Sequence, residues 1–570
     1  MADDTSQSGL DRRSFLVLGA AATGATVIPA GVAAASDERK KKPKPPAADP
    51  FGMGVASGDP TSTSVILWTR LAPKPLELDG GMGSKGDQVV SYEIATDAKF
   101  SKIVQKGVVD AIKDYGHSVH LDAKGLTPNS EYYYRFKYGT SISPTGRTRT
   151  APDASQAVES FVFGQTSCAN WQSGFYQLYK DLVDQGVDYW VALGDYIYEY
   201  ADGGYTRDGA KATRSIPWKV EPNTLPEYRR QYGLYRSSPE LQALHAWAPY
   251  SAIWDDHEVD NNFTGGRDGG DGQAERIAFE QRRAAGFQAF YENHAIRLPD
   301  GPPPQMPSSM RIYRKIEWGT LATFLFLDGR QYRTDQPGND TPQDFGAWVE
   351  GMFDPNATML GADQEAWLAT ELADSTAKWT FIAQQTIVSD MNAGVGLPKM
   401  LPKGLYNYDA WDGYWAPRAR LVKAIVDGQV RNPIVLSGDF HCNLSFDLLS
   451  EWPDPRNFTS MTEQADATKV WAKPVVGAEI ATGAISSPTF FGGSGLVSMA
   501  GPPTLAGTPW ARYGELLSNG AVVHTVTPGS VEAAYRVANT LYPAKDTKGK
   551  VRADKTVVVN DGVPGVSAVR

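Results

Sequence analysis

Apolar positions fall into two textures along the chain. Between residues 51 and 151 the runs SVILWTRL, VVSYEIAT, HSVHLDAKGL and EYYYRFKYG are short and rich in β-branched and aromatic residues, as strands packed on one face require. Gly58-Asp59-Pro60 and Pro128-Asn129-Ser130 supply turn chemistry between them. This stretch is predicted to form a small β-sandwich domain. From Val158 onward the apolar runs become continuous and alternate with amphipathic segments: FVFGQTS, then FYQLYKDLVDQ, then YWVALGD, and later APYSAIWDDHE, LATFLFLD, KWTFIAQQ and NPIVLSGDFH. Strands apolar at successive positions need cover on both faces. Residues 152–540 are therefore predicted as one domain with an α/β core whose sheets are buried on both faces. GAVVHTVT and SVEAAYRV complete it, and 541–570 is left as a C-terminal tail.

The chain of 570 residues has 15 Trp and 26 Tyr, enough large apolar mass for an extensive core. A net charge of -10 argues against a general nucleic-acid-binding surface. Arg12 and Arg13 precede an uncharged stretch from Phe15 to Ala35, with small residues at Ala33 and Ala35. This resembles a twin-arginine signal peptide, residues 1–35. The resemblance implies passage through the twin-arginine translocation machinery, no stable membrane span after processing, and a periplasmic, extracellular or cell-wall location. Residues 36–50, SDERKKKPKPPAADP, read as a linker. LTPNSEYYYRF, Leu126 to Phe136, resembles the corner of fibronectin type III domains, which makes the leading β-sandwich fibronectin III-like.

Chemistry gathers where the apolar runs stop. FVFGQTSC ends on Cys168; WVALGDYIYEY presents Asp195, Tyr198 and Glu199; SAIWDDHEVDNN presents Asp255, Asp256, His257 and Asn261; IVLSGDFHCN presents Asp439 and His441. Thiolate, phenolate, imidazole and carboxylate are metal donors, and ligand sites in α/β sheets collect beyond the carboxyl ends of strands. The only cysteines are Cys168 and Cys442. In an exported protein they could equally pair as a disulfide.

GDYIY, DDHE and GDFH follow the skeleton of the calcineurin-like and purple acid phosphatases, and TSC, GDYIYE, WDDHEVDNN, LDGRQYRTDQ, WDGY and LSGDFH are similar to the PhoD-like alkaline phosphatases. That resemblance implies an α+β multidomain chain whose metallophosphatase domain has two central β-sheets flanked by helices, and a phosphoric ester hydrolase acting through a metal-bound hydroxide at a site holding Fe3+ and Ca2+. It implies that Asp195 bridges the metals, that Cys168, Tyr198 and His441 serve iron, and that Asp439 and Asp256 serve calcium with Asp255 and Asn261. It implies that His257 acts beside Asp256 at the phosphate or the leaving-group oxygen. Glu199, Glu258, Arg330 and Arg333 are read as supports that hold ligands or carboxylates. The alternative from another class is a non-hydrolytic cell-surface binding protein with structural calcium, which has no use for Cys168, Tyr198 and His441 together. Changing Arg12 and Arg13 to lysine is expected to trap the precursor inside the cell. Fractionation of expressing cells measures this, and undiminished export contradicts the twin-arginine reading.

Overall fold

The computed structural model describes residues 49–206, 212–269, 276–337, 350–391, 407–492 and 496–570. The signal segment and all but the end of the linker lie outside the described residues. Two large sheets face each other. The first has ten strands, in the order Ala568–Val569, Arg552–Asn560, Ser530–Ala538, Asn519–Val526, Phe161–Thr166, Tyr189–Leu193, Tyr250–Ile253, Val55–Gly58, Ser64–Arg70 and Ser118–Lys124. The second has seven: Arg314–Trp318, Ala322–Phe326, Trp379–Ala383, Pro433–Ser437, Val475–Ala481, Asn443–Leu449 and Ala511–Glu515. Aromatic rings fill the space between them. Phe161 stacks on Trp318 at 5.0 Å, and Phe163 meets Phe324 and Phe381 edge-on at 5.1 and 5.2 Å. Such pairs add to the stabilisation from simple burial.

Helices cover the outer faces. On the second sheet, Ala362–Asp374 and Trp415–Asp427 bury Leu368, Leu372, Leu421, Val422 and Ile425 against Leu325, Ile382 and Val435, the helical spacing of one apolar stripe. The strands that carry the motifs run parallel: Phe161–Thr166 with Tyr189–Leu193 and Tyr250–Ile253, and Ala322–Phe326 with Trp379–Ala383 and Pro433–Ser437. Their carboxyl ends therefore open on one side, which positions the site.

Two expectations need correction. The segment 541–570 is no tail: Arg552–Asn560 and Ala568–Val569 extend the ten-stranded sheet, and Val557, Val558 and Val559 are buried there. The leading β region does have two layers, with Val65, Leu67, Val90, Ile94, Val119, Tyr134 and Phe136 between them. One layer, however, is continuous with the ten-stranded sheet, through the pairing of Gly58 with Tyr250. The Tyr132 hydroxyl accepts the N–H of Thr127 at 2.9 Å, closing the corner over the proline turn.

The seam between leading and main regions is tight and ionic. A Cβ on Gly58 would lie 2.0 Å from the Ala295 carbonyl oxygen and 2.6 Å from that of Tyr250, so only glycine fits. Next to it, buried Asp59 accepts both Nε and Nη2 of Arg314 at 2.9 and 2.8 Å, the Arg297 N–H at 2.6 Å, and the Ser251 hydroxyl. Removing one partner of a buried pair leaves the other charge without water or counter-ion. Asp59→Ala is expected to cost about 3–5 kcal/mol, read as a lower denaturant midpoint. A midpoint equal to that of the parent protein contradicts this account of the seam.

Candidate metal centre

The site is built from strand exits. Cys168, Asp195, Asp255 and Asp439 each stand two residues beyond a strand end, after Thr166, Leu193, Ile253 and Ser437. Cys168, Asp195, Asp439 and His441 all adopt left-handed backbone, with φ of 60°, 52°, 57° and 58°. Non-glycine residues in that region are held there against a conformational cost, and such strain clusters at functional sites. The chain turns sharply off each strand, and the donor side chain is directed across the sheet ends. Gly194 makes the close approach possible: a Cβ there would sit 2.4 Å from that of Asp255.

Three overlapping donor groups result. One ligand atom each from Cys168, Asp195 and His441 lies within 4.8 Å of the others; so do those of Asp195, Asp256 and His257, and those of Asp195, Asp255, Asp256 and Asp439. Asp195 belongs to all three. The Tyr198 hydroxyl donates to Asp195 Oδ2 at 2.7 Å and lies 3.1 Å from His441 Nε2, so the phenol belongs to the first group. Asn261 lines the adjoining cavity, and its backbone N–H donates to Glu199 at 2.9 Å. The structure thus brings together every residue that the sequence nominated. Cys168 and Cys442 are both free thiols, so the disulfide alternative falls. Cys442 is buried, with Sγ 3.7 Å from the Leu516 carbonyl oxygen.

The supporting residues fix tautomers and loops. His441 Nδ1 lies 2.7 Å from the Pro488 carbonyl oxygen. A carbonyl can only accept, so Nδ1 carries the proton and Nε2 offers a lone pair. His257 Nδ1 lies 2.8 Å from buried Glu199 in the same manner. Glu258 accepts backbone N–H groups of Asp195, Tyr196 and Asp255 at 3.1, 2.6 and 2.7 Å, clipping two ligand loops together. Sequence reasoning missed Asp409 and Ser487. Asp409 receives Arg330, Arg333 and Gln336, and Ser487 Oγ lies 2.8 Å from the Tyr198 hydroxyl. The signal for Asp409 was present: the two arginines of LDGRQYR need an acidic counterpart. A serine before proline gives none.

The donor set suits cations. Oδ1 of Asp195, Oδ2 of Asp255 and Oδ1 of Asp256 are buried with no hydrogen-bond partner, a costly state unless a cation meets them. Arg330 reaches into the cluster: Nε donates to Asp255, Nη1 to Asp409 at 2.8 Å, and Nη2 stands 3.7 and 3.9 Å from Asp256 and Asp439. One guanidinium does not neutralise the cluster. Burial, with neighbouring carboxylates, holds Asp195 and Asp255 well above the usual carboxylate range. Burial also raises Asp439 to about 7, with Arg330 opposing and Asp409 and Asp256 reinforcing. Glu258 is likewise pushed up to about 7 by burial. For His257, burial works against the charged form, but Asp256, Glu199 and Asp195 outweigh it and the imidazole is held cationic.

The family model described as PhoD-like phosphatase matches residues 161–535, and that of its N-terminal domain matches residues 34–152. Alkaline phosphatase D of Bacillus subtilis (strain 168) is 40% identical over 441 residues, 76% of this chain and 70% of that protein. The solved structure described as "Structure of PhoD" is 36% identical with a TM-score of 0.79, covering 93% of each chain.

A pH dependence follows from the raised carboxyls. In metal-free protein Asp439 and Glu258 keep their protons to about pH 7 when folded, whereas the unfolded chain releases them near the ordinary value of about 4. Folded values above unfolded ones give stability that is full below about pH 4 and is lost as pH rises through about 7. Chelated protein is expected to melt at progressively lower temperature between pH 5 and 8. Bound cations replace those protons, so the slope shrinks in metal-loaded protein. A flat profile for the chelated form contradicts the account.

Proposed function

Because the chain belongs to the PhoD-like phosphatase family and is a phosphoric ester hydrolase of the alkaline phosphatase D kind, we propose that it is an exported phosphatase and phosphodiesterase using an iron–calcium centre. The observation that carries this reading is the division of donors around Asp195. On one side stand a thiol, a phenol and an imidazole, Cys168, Tyr198 and His441; on the other stand the carboxylates of Asp255, Asp256 and Asp439, with His257 beside Asp256 and held by Glu199 through Nδ1. Electron-rich donors suit Fe3+, and an all-oxygen set suits Ca2+. Asp195, common to both, is the bridging ligand. The amide of Asn261 is assigned as a further oxygen donor on the calcium side.

Cations bound there supply positive charge for the phosphoryl oxygens and make water a stronger nucleophile at mild pH. The remaining work belongs to the chain. Glu199 holds His257 by Nδ1, which leaves Nε2 to give a proton to the departing ester oxygen. Asp256 is fixed by the Asn262 N–H at 2.7 Å on Oδ2, which keeps Oδ1 directed to the centre. Arg330 spaces Asp255 and Asp409 and binds no phosphate. The leading pair of β layers is proposed as fibronectin III-like, on the strength of the Tyr132 corner. Residues 1–35 are proposed as the twin-arginine signal and 36–50 as the linker to the leading β region, 51–151. Residues from 152 to the C-terminus form the catalytic region. Among the described residues no helix is long and apolar enough to cross a membrane.

p-Nitrophenyl phosphate and its bis-ester are the expected substrates for assay. Activity is greatest above neutral pH, is lost on prolonged chelation and returns at least in part with calcium. Tyr198→Phe and Cys168→Ser each remove one charge-transfer donor, so each is expected to shift or bleach a visible band and reduce turnover. Asp195→Asn lowers occupancy of both metals, and Cys442→Ser changes neither colour nor activity. Iron content and absorption spectra of the four variants test the assignment, and an active, iron-free, colourless parent enzyme overturns it.

A further inference from the structure

Two serine hydroxyls stand behind the metal donors, one at the thiol and one at the phenol. Ser167, in the TSC motif, is hydrogen-bonded through Oγ to Cys168 Sγ, and the same Oγ accepts the Asp439 N–H at 3.2 Å. Ser487 Oγ lies 2.8 Å from the Tyr198 hydroxyl oxygen and accepts the Asn170 N–H at 3.3 Å. Both serines are buried. Glycine at 438 makes room for the first: a Cβ there would lie 2.3 Å from Ser167 Oγ. The segment that carries Ser487 is anchored on the Cys168 loop. The Ile485 N–H donates to the Ser167 carbonyl at 2.9 Å, Ser486 Oγ to the Asn170 carbonyl at 2.6 Å, and Asn519 Nδ2 to the Ser487 carbonyl at 2.7 Å.

A hydroxyl has one proton, and where that proton goes decides what the serine does. As a metal ligand a cysteine is a thiolate and a tyrosine on ferric iron is a phenolate, so each can then only accept. Ser167 Oγ takes the Asp439 N–H on a lone pair, and its own proton is directed to the Cys168 sulfur. Ser487 has two acceptors within reach, the Tyr198 oxygen at 2.8 Å and the Cys168 carbonyl oxygen at 2.9 Å. That carbonyl already accepts the N–H groups of Ser486 and Ser487, at 3.3 Å each. Its two lone pairs are taken, and the proton of Ser487 goes to the phenol oxygen.

We infer that Ser167 and Ser487 are positioning residues that set how much charge the iron-side ligands donate, Ser167 by giving its hydroxyl proton to the Cys168 sulfur and Ser487 by giving its own to the Tyr198 oxygen. The inference rests on the reading that iron is held by Cys168, Tyr198 and His441. A hydrogen bond to an anionic ligand draws charge out of the metal bond, and hydrogen bonds to ligating sulfur are one of the controls on reduction potential. The anionic forms of Cys168, Tyr198 and Asp195 would together cancel the charge of a ferric ion. The two outer hydrogen bonds leave part of that charge uncancelled, which keeps the centre a stronger Lewis acid.

The test uses metal-loaded full-length enzyme, with iron content, the visible band and the reduction potential as readouts. Ser487→Ala and Ser167→Ala are each expected to keep iron, to move the band to longer wavelength and to lower the reduction potential, because the ligand left without its hydrogen bond donates more charge. Ser487→Thr retains a hydroxyl and is expected to return both toward the parent. Ser486→Ala removes a hydroxyl from the same segment, one that donates to the Asn170 carbonyl and to neither ligand, and is expected to leave band and potential unmoved. If both donor-side alanine variants lose iron, Ser487→Thr decides: iron retained with the parent's band supports the hydroxyl, and iron lost overturns it. Iron-loaded alanine variants with the parent's band and potential overturn the serine assignment and leave the iron reading intact, and so does an equal shift in Ser486→Ala. An iron-free, colourless parent overturns the iron reading and the inference with it.

Discussion

Asp195, Asp255, Asp256, Asp409 and Asp439 converge on one buried region, with the Arg330 guanidinium among them and Arg333 on Asp409. At the effective dielectric of a protein interior, like charges a few ångströms apart repel by several kcal/mol, so such a cluster persists only with protons or cations. Much of the surrounding architecture serves to hold this unfavourable charge in place. Left-handed backbone at Cys168, Asp195, Asp439 and His441 is one part of that cost, and the three N–H groups gathered by Glu258 are one part of what offsets it. The aromatic packing between the sheets supplies stability that the site itself withholds.

The same constraint explains why the ligands come from parallel strands. A parallel bundle delivers all its carboxyl ends to one side, so residues far apart in sequence arrive together without a long loop of their own. Asp195 and Asp255 leave adjacent strands, and Glu258 binds the backbone at both exits. Asp439 and Arg330 leave the facing sheet. The centre therefore bridges the two sheets, and Arg330 crosses the gap as a fixed spacer that sets how close the carboxylates stand before any cation binds.

The site was legible in the sequence because the donors follow apolar runs, and an apolar strand that stops at Gly-Asp or Asp-Asp announces both its burial and its exit. Tyr198 was legible for the same reason, three residues from Asp195. What was not legible depended on pairing at a distance. The tie between Gly58 and Tyr250 leaves no trace in either local pattern, so the leading β region read as a separate domain rather than as an extension of the ten-stranded sheet. The last strands were missed because Arg552–Asn560 is exposed along its first half, giving only three consecutive valines as a signal. Asp409 was passed over because an isolated acid in a loop carries no periodicity; its meaning comes from Arg330 and Arg333.

That dependence also assigns a division of labour among the arginines. A phosphatase pocket with free guanidinium groups would bind the phosphate of any ester, and bind released phosphate equally well. Here Arg330 and Arg333 are each bound to carboxylate, and the cationic side chain that lines the cavity is His257. Tyr200, Tyr205, Phe440 and Phe490 line the same cavity as His257 and the carboxylates. Apart from Phe440, which stands between Asp439 and His441, the charged and the aromatic parts of that cavity come from separate segments. The first, Asp409 apart, stand at strand exits on both sheets, and the second in the segments around Tyr205 and Phe490, the latter of which also orients His441 through the Pro488 carbonyl.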